Sequence, residues 1–461
     1  MSEYPAIHAE MPAAATTSAA TWFATSVATW AAFLLMCLGM FMAILDIQVV
    51  ATSLPTIQGA LGISQDAMSW IQTAYLIAEV IAIPLTGLLT RVLTLRWLFA
   101  AAVSLFTIAS IGCALSGSFV VLLLFRIIQG FSGGVLIPAV FSAVFLLFPP
   151  RLHAVATTVG GVVAVLAPTI GPIVGGFITE TWSWPWLFLI NVIPGLIAVS
   201  ITPLLLPRHD TDLAEFAKLD MQALVLMAVA LACLEIGLKQ APKGGWLSPL
   251  STGLLLVSAT GIGISIWRTL GATHPVVRLS ALRRRSFAVG CALSFCLGVG
   301  LFGSVYLMPV FLAFVRGVAI MFCLLPPTRF ALGSLPQSEV SDASGLFNLM
   351  RNLGGAIGIA LIDTILYGRT VGHGLALRDR LIAGDVTAAQ AIGLDVQLFL
   401  HPPPDVSSAT VEAYVRPMVE RAAFAMSVYE AWALLALVAL IALLLVPLAG
   451  KLPASELSSR L

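Results

Sequence analysis

Charge is what this sequence has least of. Of its 461 residues, 10% are Asp, Glu, Lys or Arg, 23 basic against 22 acidic, where a soluble protein carries about 25%. With 59% hydrophobic residues and a mean hydropathy of +1.02, this excludes a water-soluble enzyme. A net charge of +1 lacks the basic footprint that nucleic acid demands. Histidine is scarce too: His8, His153, His209, His274, His373 and His401 all lie in loops or tails between the apolar runs. Neither HExxH nor a Walker loop occurs, which excludes zinc proteolysis of that type and ATP-driven pumping by this chain alone. Gly130-Phe131-Ser132-Gly133 fits the GxSG pattern of intramembrane serine proteases. A buried serine needs a base within hydrogen-bond reach, however, and no apolar run supplies a histidine. Cys37, Cys113, Cys233, Cys291, Cys296 and Cys323 sit inside apolar runs and read as small packing residues, not as a disulfide or metal framework. The first 26 residues hold Glu3 and Glu10 but no Lys or Arg, so the basic start of a cleaved signal peptide is missing and the first helix is the expected insertion signal.

What the sequence does have is apolar runs of about 20 residues, long enough at about 1.5 Å per residue to cross a hydrocarbon core of about 30 Å. The expected fold class is an all-α polytopic membrane protein. Spans are expected near 27–49, 69–90, 97–116, 119–142, 154–178, 185–206, 219–238, 249–267, 287–314, 318–333, 343–367 and 423–448, twelve in all. With a cytoplasmic N-terminus, the inner loops gather Arg91 and Arg96, Arg151, Arg208 and Lys218, then Arg268, Arg278 and Arg283-Arg284-Arg285, with Lys451 and Arg460 on the tail. The short outer loops hold only Lys239 and Lys243. Arginines in the long outer segment 368–422 count little, so the positive-inside bias places both termini in the cytoplasm. Trp70, Trp97, Trp182, Trp184, Trp186, Trp246 and Trp267 fall at run ends, as interfacial anchors do. One region departs from this regularity. The apolar stretch from Phe287 to Val315 runs for 29 residues and is followed by Arg316-Gly317, then at once by a short span holding Pro326-Pro327.

A charge at mid-bilayer costs about 2.5–3.5 kcal/mol on insertion scales, so each one retained there faces a partner, the bundle interior or a water-filled cavity. Several are retained, among them Asp46, Glu79 and Arg126 in the first half and Arg329, Arg351 and Asp363 in the second. Counting residues along their spans puts Asp46 and Arg126 both in the outer half, where they pair or share water. A pair that opens and closes suits proton coupling; a permanent one would only fix helix packing. Glu79 falls near the midplane, as a substrate or proton site would. Arg351 and Asp363, 12 residues apart, sit nearer opposite ends of one helix and read as local packing or interface groups, the second-half candidates. In the fifth span Ala167, Gly171 and Gly175 make a small-residue stripe, with Gly176 beside it, while Pro168 and Pro172 remove amide donors and favour a bend. Such a seam serves gating or simple close packing. Gly354 and Gly358 repeat it more weakly, as packing.

These residues resemble the major facilitator superfamily, in particular its EmrB/QacA-type branch of multidrug:H+ antiporters. Leu45-Asp46-Ile47-Gln48-Val49-Val50-Ala51-Thr52-Ser53-Leu54-Pro55 is similar to that branch's first-helix motif LDxTIVNVALP, with Gln48 for Thr and Ala51 for Asn. Gly87 to Arg96 resembles the superfamily loop GxLaDrxGrr, with Arg91 where Asp belongs and Thr94 where Gly belongs, a departure expected to weaken the gating contact. Arg126-Ile127-Ile128-Gln129-Gly130 matches RxxQG, whose arginine the family implicates in proton transfer. Ala167 to Gly176 matches the antiporter motif gxxxGPxxGG apart from its first residue, and Trp184 to Val192 looks like WRWIFLINV.

The resemblance implies two six-helix bundles around a central cavity, two extra helices between them, alternating access, and no cofactor beyond a proton gradient. It implies cargo that is hydrophobic or amphiphilic, such as drugs or fatty acids, and a bacterial inner-membrane location. It also implies a periplasmic membrane-fusion adaptor and an outer-membrane channel as partners, with segment 368–422 and its amphipathic pieces as the docking surface. The expected organisation is a cytoplasmic tail 1–26, a six-helix bundle 27–206, two linker helices within 207–286, and a shortened second bundle 287–461 of about four helices. Against fourteen family helices, the second bundle is two short, and the shortage maps to Arg316-Gly317. The expected activity is proton-coupled export, with Asp46 and Arg126 carrying protons and Glu79 binding a cation or proton. The alternative is a non-transporting remnant or scaffold that binds an efflux adaptor.

Overall fold

The computed structural model describes residues 14–208, 211, 220–272, 275, 277, 279–307, 327–328, 331–333, 335–401 and 408–449. Arg316-Gly317, Arg329, Lys218, Arg278 and most of the expected span 318–333 lie outside the described residues. The described chain is built from helices: α1 (Ala14–Leu61), α2 (Gln65–Ala114), α3 (Phe119–Leu147), α4 (Pro150–Thr181), α5 (Trp186–Leu189), α6 (Val192–Leu205), α7 (Met221–Gly244), α8 (Pro249–Gly271), α9 (Arg285–Leu307), α10 (Gln337–Ile382), α11 (Val386–Ala391), α12 (Val396–Leu400) and α13 (Ser408–Leu445). Local chemistry sets the starts. Ser64, Ser118, Asp220 and Ser248 each accept a backbone N–H from the first turn that follows, while Pro150 and Pro249 open α4 and α8, where a missing amide costs nothing.

Ten of the described segments are long and apolar enough to cross a membrane. One of them, Ala67–Ala114, has the length of two crossings. It breaks at Thr94, whose φ of 63° and ψ of 159° lie in a region that glycine occupies freely and a β-branched residue does not. The break separates the expected spans 69–90 and 97–116. The expected span 185–206 is likewise interrupted at Ile190-Asn191, between α5 and α6.

In the first bundle α1 packs on α3, α4 and α6, and α2 packs on α3 along much of its length. The second half joins it directly. One hydrophobic cluster runs from Phe33, Phe99 and Phe141 through to Phe287 and Phe347. Close approach is made possible by glycine at two places: a Cβ on Gly87 would strike the backbone of Asp342, and one on Gly345 would strike the Ile83 carbonyl. Beside them Ser344 donates to the Pro138 carbonyl at 2.9 Å. Gly354 and Gly358 bring α10 onto Phe295 and Val299 of α9, so the weaker stripe packs helices as expected. Helix α7 lies against α8, α2 and α10.

Segment 368–422 is helical over most of its described length. α10 continues to Ile382 and α13 starts at Ser408, so the expected amphipathic pieces are helices that share a small core of Leu377, Ala389, Ile392, Leu394 and Ala423. Arg369 and His373 of α10 bind Glu430 of α13 at 2.8 and 3.0 Å. At the turn, the Thr387 hydroxyl and Arg380 hold the Asp385 carboxyl down at about 2.

Candidate functional site

Four segments meet around Asp46. Its helix α1 brings the carboxylate to Arg126 and Gln129, one turn apart on α3, to Asn191 at the α5–α6 break, and to the first half of α2. Arg126 Nη1 donates to Asp46 Oδ2 and, at 2.7 Å, to Gln129 Oε1; its Nε donates to the Ile71 carbonyl at 3.2 Å. Asp46 Oδ1 accepts from Gln129 Nε2 and Asn191 Nδ2, each at 2.9 Å. Gln129 Nε2 also reaches the Ser110 hydroxyl at 2.9 Å. Asp46, Arg126 and Gln129 are 0% exposed. The remaining Arg126 nitrogen, Nη2, has no acceptor among the described residues, and the guanidinium carbon lies 4.3 Å over the Tyr75 ring, a cation–π contact. Tyr75 is itself anchored by its hydroxyl to the Ala43 carbonyl at 3.1 Å. Both carboxylate oxygens are therefore engaged, so the pair is kept in oil by geometry that satisfies it.

The GxSG stretch lies in the same place for a packing reason. Cβ atoms on Gly130 and Gly134 would strike the carbonyls of Tyr75 and Glu79, so these glycines let α2 and α3 touch. Ser132 donates to the Ile128 and Gln129 carbonyls of its own helix, at 2.9 and 3.0 Å.

A second group of charges forms where α2, α7 and α10 meet. Glu79 is 4% exposed and lies within electrostatic reach of Arg351, Glu235 and Arg126, yet it has no hydrogen bond or ion pair among the described residues. Arg351 is spent on Asn348 Oδ1 at 2.5 Å, with its guanidinium 5.9 Å from the Phe141 ring. It was expected as a local packing or interface group near a helix end; the structure buries it with its own-helix neighbour Asn348 and beside Phe141 of α3. Asp363 is half-buried further along α10 and is brought neither to Asp46 nor to Glu79. Lys239 corrects a second expectation. It does not sit in an outer loop, because α7 runs on to Gly244, and its ammonium donates to Thr73 Oγ1 and, at 3.0 Å, to the Ser69 carbonyl on α2. Glu235, one turn before it, was not singled out from the sequence.

The expected gating elements are also placed. Pro168 and Pro172 lie inside α4, and Cβ atoms on Gly171 and Gly175 would strike Gln48 and the Val49–Thr52 turn of α1, the helix of Asp46. Gly176 faces open space instead. Ser53 and Thr179 bridge the same seam at 2.7 Å. Arg91 overturns the expectation that its replacement of an acid weakens the contact between halves. It pairs with Asp342 of α10 and reaches the Pro275 carbonyl at 3.4 Å, so the charge is reversed and a partner of opposite sign answers it. Arg96 lies 5.2 Å from the Trp97 ring and takes no part in that pair.

The model of the Major Facilitator Superfamily matches residues 36–359. The chain is 33% identical over 429 residues to the colistin resistance protein EmrB of Acinetobacter baumannii, covering 77% of this chain and 83% of that protein. It is 27% identical over 409 residues to the multidrug export protein EmrB of Escherichia coli, with 73% and 80% covered. It is also 27% identical over 410 residues to the fatty acid resistance protein FarB of Neisseria gonorrhoeae, again with 73% and 80% covered. In the first alignment, 77% of 461 residues is about 355, so about 74 of the 429 positions have no counterpart in this chain.

Proposed function

The chain belongs to the Major Facilitator Superfamily, and on that premise we propose that it is a proton-coupled exporter of hydrophobic or amphiphilic compounds, drugs or fatty acids among them, working by alternating access. The reading is carried by the buried Asp46–Arg126 pair. When Asp46 takes a proton the pair loses its attraction and Arg126 is left to Gln129, Ile71 and Tyr75, which is the change a proton-driven cycle needs. Because Gly171 and Gly175 seat α4 on the turn of α1 just after Asp46, a change there is passed to a helix that Pro168 and Pro172 leave free to bend. Arg91 and Asp342 latch the opposite halves at the end that the positive-inside bias assigns to the cytoplasm, and the latch must open for that end to admit cargo. Glu79 serves as a cation or proton site. The names of the relatives, which export drugs or confer resistance to colistin and fatty acids, support this cargo class. The location is a bacterial inner membrane with both termini inside, and segment 368–422 is the surface for an adaptor that leads to an outer-membrane channel.

The test is dye efflux driven by a pH gradient in reconstituted vesicles. Asp46→Asn abolishes it while the protein remains inserted; unchanged efflux removes Asp46 from the mechanism. The other reading, a non-transporting remnant, is not favoured by the relatives, which are named for export or resistance. Drug susceptibility of an efflux-deficient host with and without the chain separates the two.

A further inference from the structure

We propose that Asn191, at the break between α5 and α6, is a positioning residue for the proton step: it holds the Asp46 carboxylate as a donor and, with its carboxamide turned over, holds the protonated acid as an acceptor. The proposal deepens the reading of Asp46 as proton carrier and rests on it. Local sequence frees this side chain. Asn191 stands at the N-cap of α6, where an asparagine oxygen ordinarily accepts the amide of the second or third helical residue. The third is Pro194, which has no N–H; its missing amide also deprives the Ile190 carbonyl of a helical donor and breaks the span there. The Asn191 side chain makes no cap bond and reaches instead to Asp46 Oδ1 at 2.9 Å, in a setting where it is 1% exposed. One turn on, a Cβ at Gly195 would strike the Thr107 hydroxyl and the Met42 methyl, so the start of α6 is seated closely on α2 and α1 and brings the carboxamide to that depth.

A protonated Asp46 needs an acceptor for its new O–H, and the cluster offers few. Arg126 only donates. Gln129 is pinned at both ends: its oxygen accepts from Arg126 at 2.7 Å and from the Cys113 thiol at 3.7 Å, and its nitrogen donates to Asp46 and reaches Ser110. The Asn191 carboxamide has Asp46 as its one hydrogen-bond partner among the described residues, so turning it over breaks nothing else. In the step, a proton from water bonds to Asp46 Oδ1, the Asn191 N–H leaves that oxygen, and the new O–H donates to Asn191 Oδ1. Asp46 Oδ2, now a carbonyl oxygen, still accepts from Arg126, and the pair gains one positive charge. The other titratable side chains of the cluster are Tyr75 and Glu79 on the first half of α2 and Cys113 on the second. Helices α5 and α6 carry none, and α4 carries them only near its ends, at Arg151, His153 and Glu180. A buried O–H without an acceptor is costly, so a side chain able both to donate and to accept lets the proton enter without shifting the helices.

The experiment records the infrared difference between neutral and acid pH for the purified full chain in lipid, with the asparagine side-chain carbonyls labelled with carbon-13; the chain's other asparagines, Asn348 and Asn352, both lie on α10. Acidification produces a carboxylic-acid carbonyl band and a shift of the labelled asparagine band at one pH midpoint, and both are missing from Asp46→Asn. Asn191→Leu, which keeps the volume, removes the asparagine shift and moves the Asp46 acid band to the higher frequency of a free O–H. The same variant lowers the maximal rate of dye efflux driven by a pH gradient about tenfold, with the KM for dye unchanged. An asparagine band that does not respond to pH in the unmutated chain overturns the proposal, and this readout needs no variant to fold. So does a shift that persists in Asn191→Leu, or an unmutated maximal rate in that variant; the reading of Asp46 then stands as long as Asp46→Asn blocks efflux. Efflux that persists in Asp46→Asn overturns both.

Discussion

Asp46 and Glu79 are both carboxylates buried within the span of one bundle, and the structure treats them oppositely. Asp46 receives an arginine, a glutamine and an asparagine, and each of its oxygens has a donor. Glu79 has charges around it and, among the described residues, no hydrogen bond. A carboxylate whose two oxygens both have donors is stable by itself and changes only when a proton enters. One left unsatisfied is stabilised by whatever binds there. Under the proposed function, coupling belongs to the first and reception of a cation or proton to the second.

The contrast is broken most forcefully at Arg126. Arg126→Leu leaves a buried, uncompensated Asp46 and lowers stability by about 3–5 kcal/mol, read as the loss of thermal stability in detergent. A change below about 1 kcal/mol would mean that the pair is not the satisfied unit described. The latch between halves comes next. Arg91→Asp sets two carboxylates against each other and opens that end, so a cysteine placed in the α2–α10 interface reacts about tenfold faster with a water-soluble maleimide. Adding Asp342→Arg restores the slow rate, and failure of that rescue would mean the contact is steric, through Gly87, and not ionic. Thr94→Gly relieves a backbone conformation that costs about 1–3 kcal/mol and raises thermal stability by a matching amount, with no loss of export. The smallest effect sharpens the contrast most. Glu79→Gln removes a charge without a partner and leaves stability unchanged or higher by about 1 kcal/mol, the opposite sign to Arg126→Leu.

Much of the first site was legible because the membrane makes charge expensive: Asp46, Glu79 and Arg126 stand out of apolar runs, and counting residues put Asp46 and Arg126 at one depth. Gln129 and Asn191 lay within recognised motifs, and the helical spacing of Gln129 from Arg126 already put it on the same face. What was illegible depended on helices from distant parts of the chain meeting. Lys239 read as a loop charge because the expected span stops at residue 238, yet α7 continues to Gly244. Glu235 comes within electrostatic reach of Glu79 only because α7 packs beside α2. Arg91 looked like a lost function because its answering charge, Asp342, lies 251 residues further on. Sequence distance hides a compensated reversal that a single contact makes plain.

Whether protonation of the Asp46 clamp drives cargo outward is decided in proteoliposomes holding the purified chain. An imposed pH gradient is expected to drive dye out and to carry protons inward in step with it, both stopping together in Asp46→Asn. Dye movement that persists in Asp46→Asn, or that proceeds in the unmutated chain with no accompanying proton flux, would contradict the account.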